Sequence, residues 1–463
     1  MADQYDVVVV GGGAVGENAA GRCAQHGLTV AVVEEHLLGG ECSYYACMPS
    51  KALLRPGEVM DAVRRVPGAR EAVTGELDAA SALRRRDKLA SYWDDGGQQE
   101  WVAGQGIDLF RGHGRLTGER AVEVADEHGS RRLLHAHRAV VLATGSRAAV
   151  PPVEGIGDIG VWDSRDITTA REVPERLVVL GGGVVGVEMA QAWRTLGARI
   201  VLVEMAERLL SAEEPFAGAE VAEALRELGV EVYTGTQVTS VSRASGDGPV
   251  TATLDGGPTV EADEFVVAVG RSAITEDLGL DTVGLEPGGY LETDDSLRVR
   301  GVEGDWLYAV GDCNGRNLLT HMGKYQARIA GDVIAGKPNV ARADHGITPR
   351  VVFTTPLVGA VGLTEAGARA SGYRIDTVSH DTGGVAGAVT KGGGLSGTSK
   401  LVIDTDRRML LGATFTGPAA DELVHAATIA IAGEVPLDTL WHAVPSFPTV
   451  SEVWLRLLES YGL

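Results

Sequence analysis

The chain has 463 residues, 44% hydrophobic and 22% charged, with a formal net charge of −22; at ~150 residues per domain this predicts about three domains of ordinary globular composition. The acidic balance disfavours nucleic acid, whose binding depends on Lys and Arg neutralising phosphates, and it disfavours an anionic membrane surface. No window approaches the ~18 apolar residues of a membrane helix, and Met1-Ala2-Asp3-Gln4-Tyr5 lacks the basic and apolar stretches of a signal peptide, so a cytoplasmic protein is expected.

Residues 6–16 read DVVVVGGGAVG, a strand-length apolar run entering G-x-G-x-x-G at Gly11, Gly13 and Gly16. An Ala-rich amphipathic helix is predicted from Glu17 to His26. Gly27 ends it, and a β-rich run from Thr29 closes on Glu34. The unit recurs at an offset of 170 residues, where residues 177–186 read LVVLGGGVVG. Gly181, Gly183 and Gly186 repeat the glycines, Val187–Leu196 the helix, Gly197 its end, and Arg199–Glu204 the strand and acid. The first glycine makes a tight turn, the second lets backbone approach a pyrophosphate, and the third lets helix and strand pack closely. The helix N-terminus offers free N–H groups to phosphate, and the acid takes ribose hydroxyls. A lone G-x-G-x-x-G is a weak signal. Two copies, each between strand and helix and each with its acid in place, predict two dinucleotide sites. One nucleotide would be held and the other exchanged.

Four cysteines occur: Cys23, Cys42, Cys47 and Cys313. In a cytosolic chain of this length a close pair is catalytic or metal-binding rather than a staple. Cys42 and Cys47 are separated by four residues, unlike C-x-x-C. Zinc would want two further ligands, and His36 alone is a poor candidate. No metal is expected, and a metal site stands as the alternative. Cys23, in a helical pattern, and Cys313, in a loop after a strand, read as structural.

The pair lies in Gly39-Gly40-Glu41-Cys42-Ser43-Tyr44-Tyr45-Ala46-Cys47-Met48-Pro49-Ser50-Lys51. Ala143-Thr144-Gly145, Ala268-Val269-Gly270-Arg271 and Tyr308-Ala309-Val310-Gly311-Asp312 follow in order. Together these resemble the FAD-dependent pyridine nucleotide-disulfide oxidoreductases: dihydrolipoamide dehydrogenase, glutathione reductase and mercuric reductase. Their active-site segment has the form GG-x-C-x-x-x-x-C-x-PSK. The resemblance covers essentially the whole chain. It implies an α/β fold with two Rossmann-like domains and a C-terminal α+β dimerisation domain. Residues 1–148 and 272–343 would bind FAD, 149–271 the nicotinamide nucleotide, and 344–463 would pair with a second copy in a homodimer, completing the partner's active site.

The roles implied by the resemblance are these. Gly11, Gly13 and Gly16 would cradle the FAD pyrophosphate, Glu34 its adenosine ribose and Asp312 its ribityl chain, with Thr144 and Gly145 also at FAD. Lys51, one helical turn past Cys47, would reach the flavin and pair with Glu188, which stands where the first copy has Asn18. Gly181, Gly183, Gly186, Glu188, Glu204 and Gly270 would serve NAD. An acid at Glu204 favours NADH over NADPH, although Arg208 nearby could serve a 2′-phosphate. Cys47 would face the flavin as a thiolate, and Cys42 would attack the acceptor.

The chain departs from the family at electron exit. The family's activating histidine stands in H-P-T-x-S-E, whereas this chain reads Phe447-Pro448-Thr449-Val450-Ser451-Glu452. His442 lies five positions upstream, out of frame. Phe447 transfers no proton, and Glu452 loses its imidazole partner. Since a positioned general base contributes ~10²–10⁴-fold, dihydrolipoamide or glutathione turnover should be poor. The residues between the cysteines also depart from pattern; Tyr44 and Tyr45 are given no catalytic role, since packing is the commoner use of a buried aromatic. The expected enzyme passes electrons from NADH through flavin to Cys42–Cys47 and on to a small acceptor, an unusual disulfide or other electrophile. A metal-ion reductase, a quinone or dye reductase fed directly by flavin, and dihydrolipoamide dehydrogenase itself are the alternatives.

Overall fold

The computed structural model describes residues 3–244, 246 and 248–463. Two compact units result, each built from three stretches of chain. The first comprises Met1–Pro49, Asp87–Ala149 and Arg271–His345. Its centre is a seven-stranded sheet in which Asp3–Val10 lies between Val30–Glu34 and the long strand Arg131–Leu142, parallel to both. Asp108–Arg111 extends one side, and Leu307–Ala309 pairs with the end of Arg131–Leu142. The antiparallel strands His113–Gly118 and Ala121–Ala125 complete it.

The unbroken valine run is explained by burial on both faces. Val7 and Val9 pack with Cys23, Val32 and Ala327, while Val8 and Val10 pack on the opposite face with Val33, Leu142 and Trp306. Helix Thr320–Ile334 lies against helix Ala14–Gln25 and approaches closely at its glycines. A Cβ on Gly323 would stand 2.5 Å from a Val15 methyl, and one on Gly331 2.6 Å from Arg22 Cγ.

The second unit comprises Ser50–Arg86, Val150–Gly270 and Gly346–Leu463. Arg176–Leu180 and Arg199–Val203 are the inner strands of a four-stranded parallel sheet edged by Glu264–Val267 and Glu231–Tyr233. Three antiparallel strands, Val238–Arg243, Val250–Leu254 and Thr259–Ala262, form a separate small sheet. Beyond Gly346 the chain forms a five-stranded antiparallel sheet, with helices Ala420–Ala432 and Glu452–Tyr461 packed in its core through Leu423, Val424, Val453 and Leu457. The architecture is thus α/β, with two Rossmann-like sheets and a C-terminal α+β portion, as the repeat and the resemblance imply.

Both glycine-motif helices start earlier than the hydrophobic pattern suggests, at Ala14 and Val184 rather than at Glu17 and Val187. Gly13 and Gly183 are the N-caps, with extended backbone, so the third glycine of each motif already belongs to the first helical turn. The N-terminal end of each helix is therefore made by the motif itself.

Trp193, fully buried, centres the core that also holds Leu53, Leu83, Val179, Leu202 and Val221. Trp193→Ala is expected to cost about 3–5 kcal/mol through lost burial and an unfilled cavity, read as a lower urea midpoint for this unit. A loss below about 1 kcal/mol would mean that the core collapses around the gap.

Candidate active site

The repeat extends to single hydrogen bonds. In the first copy Gly12 N donates to Glu34 Oε2 at 2.7 Å and His36 N to Glu34 Oε1 at 2.7 Å. In the second, Gly182 N donates to Glu204 Oε2, and Ala206 N to Glu204 Oε1 at 2.7 Å. Each acid is thereby fixed against its glycine loop, and each oxygen keeps a further lone pair for a ribose hydroxyl. Gly11 and Gly181 have φ of +98° and +111°, and a Cβ on either would stand within 2.5 Å of a carbonyl oxygen, Ala143 O or Ala268 O. Gly13 and Gly183 behave differently. A Cβ on Gly13 would meet nothing nearer than Gly40 Cα at 3.9 Å, and one on Gly183 nothing within 4 Å. These middle glycines border open space, and the helices behind them carry no side-chain cap. Uncapped N–H groups at the positive end of a helix dipole, beside space that a Cβ would fill, fit a pyrophosphate in both copies.

The cysteine segment is tied to the first loop. Gly39 N donates to Gly12 O at 2.8 Å, and a Cβ on Gly40 would stand 2.8 Å from Gly13 Cα. Gly39 and Gly40 take φ of +107° and +59°, which turns the chain into the short helix Gly40–Tyr44. Cys42 lies in that helix, and Cys47 opens the next, Cys47–Arg64. A hydrogen bond between the two thiols, followed by burial, pushes the Cys42 thiol far above the ordinary range. Cys47 Sγ is 3.4 Å from Thr320 Oγ1, at the first turn of helix Thr320–Ile334. Tyr44 is a packing residue: its buried hydroxyl lies 3.0 Å from both Leu38 O and Gln98 Oε1.

Lys51 Nζ donates to Glu188 Oε2 at 2.7 Å, so these two expected partners are together. Glu188 is almost fully buried, and its other oxygen accepts from Phe353 N at 2.9 Å. The Phe353 ring lies 4.7 Å from Lys51 Nζ, a cation–π distance. Phe353 carries no motif and was invisible in the sequence. Asp312 accepts from the Ser146 hydroxyl at 2.6 Å, and Arg271 Nε donates to the same Ser146 oxygen at 2.6 Å. Thr144 turns its hydroxyl to Ile274 O at 2.7 Å, so its side chain is spent on the fold. Gly145 and Gly270 have φ of +75° and +140° with open space beside them. Arg208 is engaged by the carbonyls of Glu213 and Ser211 at 2.8 and 2.7 Å.

At the C-terminal segment Phe447 is 77% exposed, before a cis peptide to Pro448. Glu452 is buried, and Arg456 donates to its Oε1 from Nε at 3.2 Å and Nη2 at 2.7 Å. The acid that would orient an imidazole is thus held within its own helix. Among the described residues no three His, Cys, Asp or Glu side chains group as metal ligands, and no helix is long and apolar enough to cross a membrane.

One group had no signal in the sequence. Glu17, in the first turn of helix Ala14–Gln25, is largely enclosed, and its Oε1 has no hydrogen-bond partner. Burial, with the like charges of Glu34 and Asp95, raises its carboxyl to about 7 against the opposing pull of Lys324. Its offset-matched residue in the second copy is Val187, so the repeat does not demand an acid there.

Two dinucleotide cradles, a lysine paired with a buried glutamate and two close thiols define an NAD(P)H-dependent, FAD-containing oxidoreductase with a dithiol redox centre. The comparisons agree. Residues 5–330 match the model of the pyridine nucleotide-disulphide oxidoreductases, and residues 348–457 match the dimerisation domain of that family. The chain belongs to this family. It is similar to the dihydrolipoyl dehydrogenase of Chlorobaculum parvum, 35% identical over 460 residues that cover 97% of this chain and 95% of that one. It is 29% identical to a mercuric reductase of Lysinibacillus sphaericus over 453 residues, covering 97% and 81%. In fold it resembles the HOCl-induced flavoprotein disulfide reductase RclA of Escherichia coli, solved as a Cu(II) complex, with a TM-score of 0.86 and 24% identity over 99% of each chain.

Burial raises the thiols of both Cys23 and Cys313 to about 12. After reduction of the native protein, iodoacetamide at pH 8 is expected to label the Cys42/Cys47 peptides and to leave Cys23 and Cys313 untouched in mass spectrometry. Comparable labelling of Cys23 in folded protein would contradict the burial.

Proposed function

We propose that this enzyme is an NADH-dependent reductase whose Cys42–Cys47 pair hands electrons to a small electrophile or unusual disulfide that needs no imidazole base. Residues 1–148 with 272–343 are assigned to FAD, 149–271 to NADH, and 344–463 to pairing with a second copy in a cytoplasmic homodimer. When bound, FAD relays the electron pair of NADH to the disulfide. Around it Gly11, Gly13 and Gly16 hold the pyrophosphate, Glu34 the ribose and Asp312 the ribityl chain. Lys51 and Glu188 keep a charge pair at the hydride-transfer face. Glu204 binds the NADH ribose and repels a 2′-phosphate. The engagement of Arg208 by backbone carbonyls supports NADH further.

The observation that carries the reading is Phe447 at the base position; Arg456 engages one oxygen of Glu452, and the other, Oε2, is buried without a hydrogen-bond partner. A thiol substrate pair such as dihydrolipoamide needs a proton moved at that point, and neither residue moves one. Soft metal ions are the second acceptor class, because a thiolate binds them without proton transfer by imidazole. The likeness to a mercuric reductase favours this reading.

The carrying test is an acceptor screen on the anaerobically NADH-reduced enzyme. A long-wavelength thiolate–flavin absorption should develop on titration, and Cys42→Ser should abolish turnover of the true acceptor. Acceptor turnover that survives Cys42→Ser sinks the dithiol route in favour of direct reduction by flavin. Phe447→His should raise dihydrolipoamide turnover by on the order of tenfold, below the ~10²–10⁴ of a positioned base, because Arg456 already holds one of the two oxygens of Glu452. High dihydrolipoamide turnover in the unmodified enzyme would overturn the assignment.

Removing Glu204 tests the nucleotide preference. Glu204→Ala should raise the KM for NADH and narrow the NADH/NADPH ratio of kcat/KM by about tenfold, roughly the worth of one charge-assisted hydrogen bond. An unchanged ratio would show that specificity lies elsewhere.

A further inference from the structure

Ser91, Tyr92 and Trp93 take φ of +50°, +53° and +57°, and among the described residues the other non-glycine positions with positive φ stand singly. Tyr92 has ψ of 28°. Trp93 N donates to Ala90 O at 2.9 Å and Asp94 N to Ser91 O at 3.0 Å. The three residues therefore form one tight left-handed turn. In that hand each Cβ crowds the following carbonyl, so L-residues visit it singly and a run of three is costly. Glycine escapes the cost, yet the nearest glycines, Gly96 and Gly97, lie beyond the turn. Ser91 and Tyr92 are exposed, so their own side chains do not repay the strain. Such strain persists only where the surroundings fix it, and it gathers at functional sites.

What the turn delivers is Trp93. Its indole Nε1 donates to Tyr44 O at 3.2 Å, between the two redox cysteines. Directly after the turn, Asp95 Oδ2 accepts from Leu38 N at 2.8 Å, and Gln98 Oε1 lies 3.0 Å from the Tyr44 hydroxyl. Asp95 is buried and is itself fixed by Gln99 Nε2 at 2.6 Å and by Arg111. The glycine loop holds the start of the Cys42 segment through Gly39, and its far end, at Tyr44, is held by Trp93 and Gln98. Cys47 is touched from another element, by Thr320 at 3.4 Å. The two sulfurs are thus mounted separately.

We propose that the left-handed turn Ser91–Trp93 is the mount of a clasp that keeps Cys42 against Cys47 in the reduced enzyme, with Trp93 as a positioning residue for the dithiol–disulfide step. In that step the S–S bond takes up two electrons and two protons to give two thiols, and closing returns both. Sulfurs held in place after the bond opens face each other at high effective concentration, which favours closing and gives the pair a low potential. A mount locked by its surroundings does not follow the loop when the bond opens. The inference rests on Cys42–Cys47 being the redox centre of the proposed function and on nothing about the acceptor.

The test equilibrates the FAD-loaded enzyme anaerobically with set ratios of reduced to oxidised dithiothreitol. Thiols are trapped with excess N-ethylmaleimide, and labels on Cys42 and Cys47 are counted by mass spectrometry. Trp93→Phe keeps a ring and loses the N–H. It should shift the equilibrium toward dithiol about tenfold, a rise in potential of about 30 mV. Tyr44→Phe, which loses the hydroxyl facing Gln98, should shift it the same way. A purely structural loss weakens both redox states alike and leaves the potential unmoved. A Trp93→Phe curve superimposed on the unmodified one, in protein that retains FAD, therefore overturns the proposal. Should Trp93→Phe fail to fold, an unmoved potential in Tyr44→Phe overturns it as well. A Cys42–Cys47 pair that no buffer oxidises would refute the dithiol reading itself, whereas failure in the variants alone leaves that reading standing.

Discussion

The structure depends on the absence of two side chains. A Cβ on Gly16 would sit 1.9 Å from Gly11 O, and one on Gly186 1.8 Å from Gly181 O. No rotamer relieves such a contact, because both partners are backbone. With hydrogen in that place, helix and strand meet closely and the intervening loop must pass over the helix N-terminus. That loop presents Gly12 and Gly182 N–H to the acids at the ends of the next strands, Glu34 and Glu204. In the first copy it also meets Gly39 and Gly40, which set the helix carrying Cys42. The glycine loop, the acid fixed against it and the turn into the Cys42 helix thus follow from one close packing contact.

This explains what was legible in the sequence. Close backbone contacts demand glycine at fixed spacing, and fixed spacing survives as a string. The glycine triplets, Glu34, Glu204 and the cysteine segment belong to that class, and the burial of Val7 to Val10 on both faces of the sheet is read from an unbroken apolar run. The Lys51–Glu188 pair was legible only through the family resemblance, since its members are far apart in the chain and neither stands in a spacing that requires the other. Phe353, Thr320 and Glu17 were not legible at all. Each matters because of what folding places beside it: Phe353 N reaches Glu188, Thr320 reaches Cys47, and Glu17 becomes an enclosed acid whose Oε1 has no partner. The helix starts were misjudged for a related reason. The pattern marks the first apolar repeat, whereas the N-cap is set by the extended backbone of Gly13 and Gly183.

The two ends of the proposed electron path are built by different means. At the proposed entry Glu188 is a buried acid that accepts from Lys51 and from Phe353 N, while the Lys51 ammonium also faces the Phe353 ring. Removing Lys51 would strand the Glu188 carboxylate in low dielectric. At the proposed exit Phe447 presents an apolar, largely exposed ring, and buried Glu452 gives one oxygen to Arg456 and leaves Oε2 without a partner.

A proton relay and a fixed charge solve the same problem differently. An imidazole removes a proton at the moment of attack and returns it to the leaving thiol, which suits exchange between disulfides. A standing cation lowers the cost of the thiolate throughout the reduced lifetime and returns nothing. It suits an acceptor that takes electrons from sulfur without needing a proton back in the same step. The proposed acceptor is of this second kind, because Phe447, at the base position, transfers no proton.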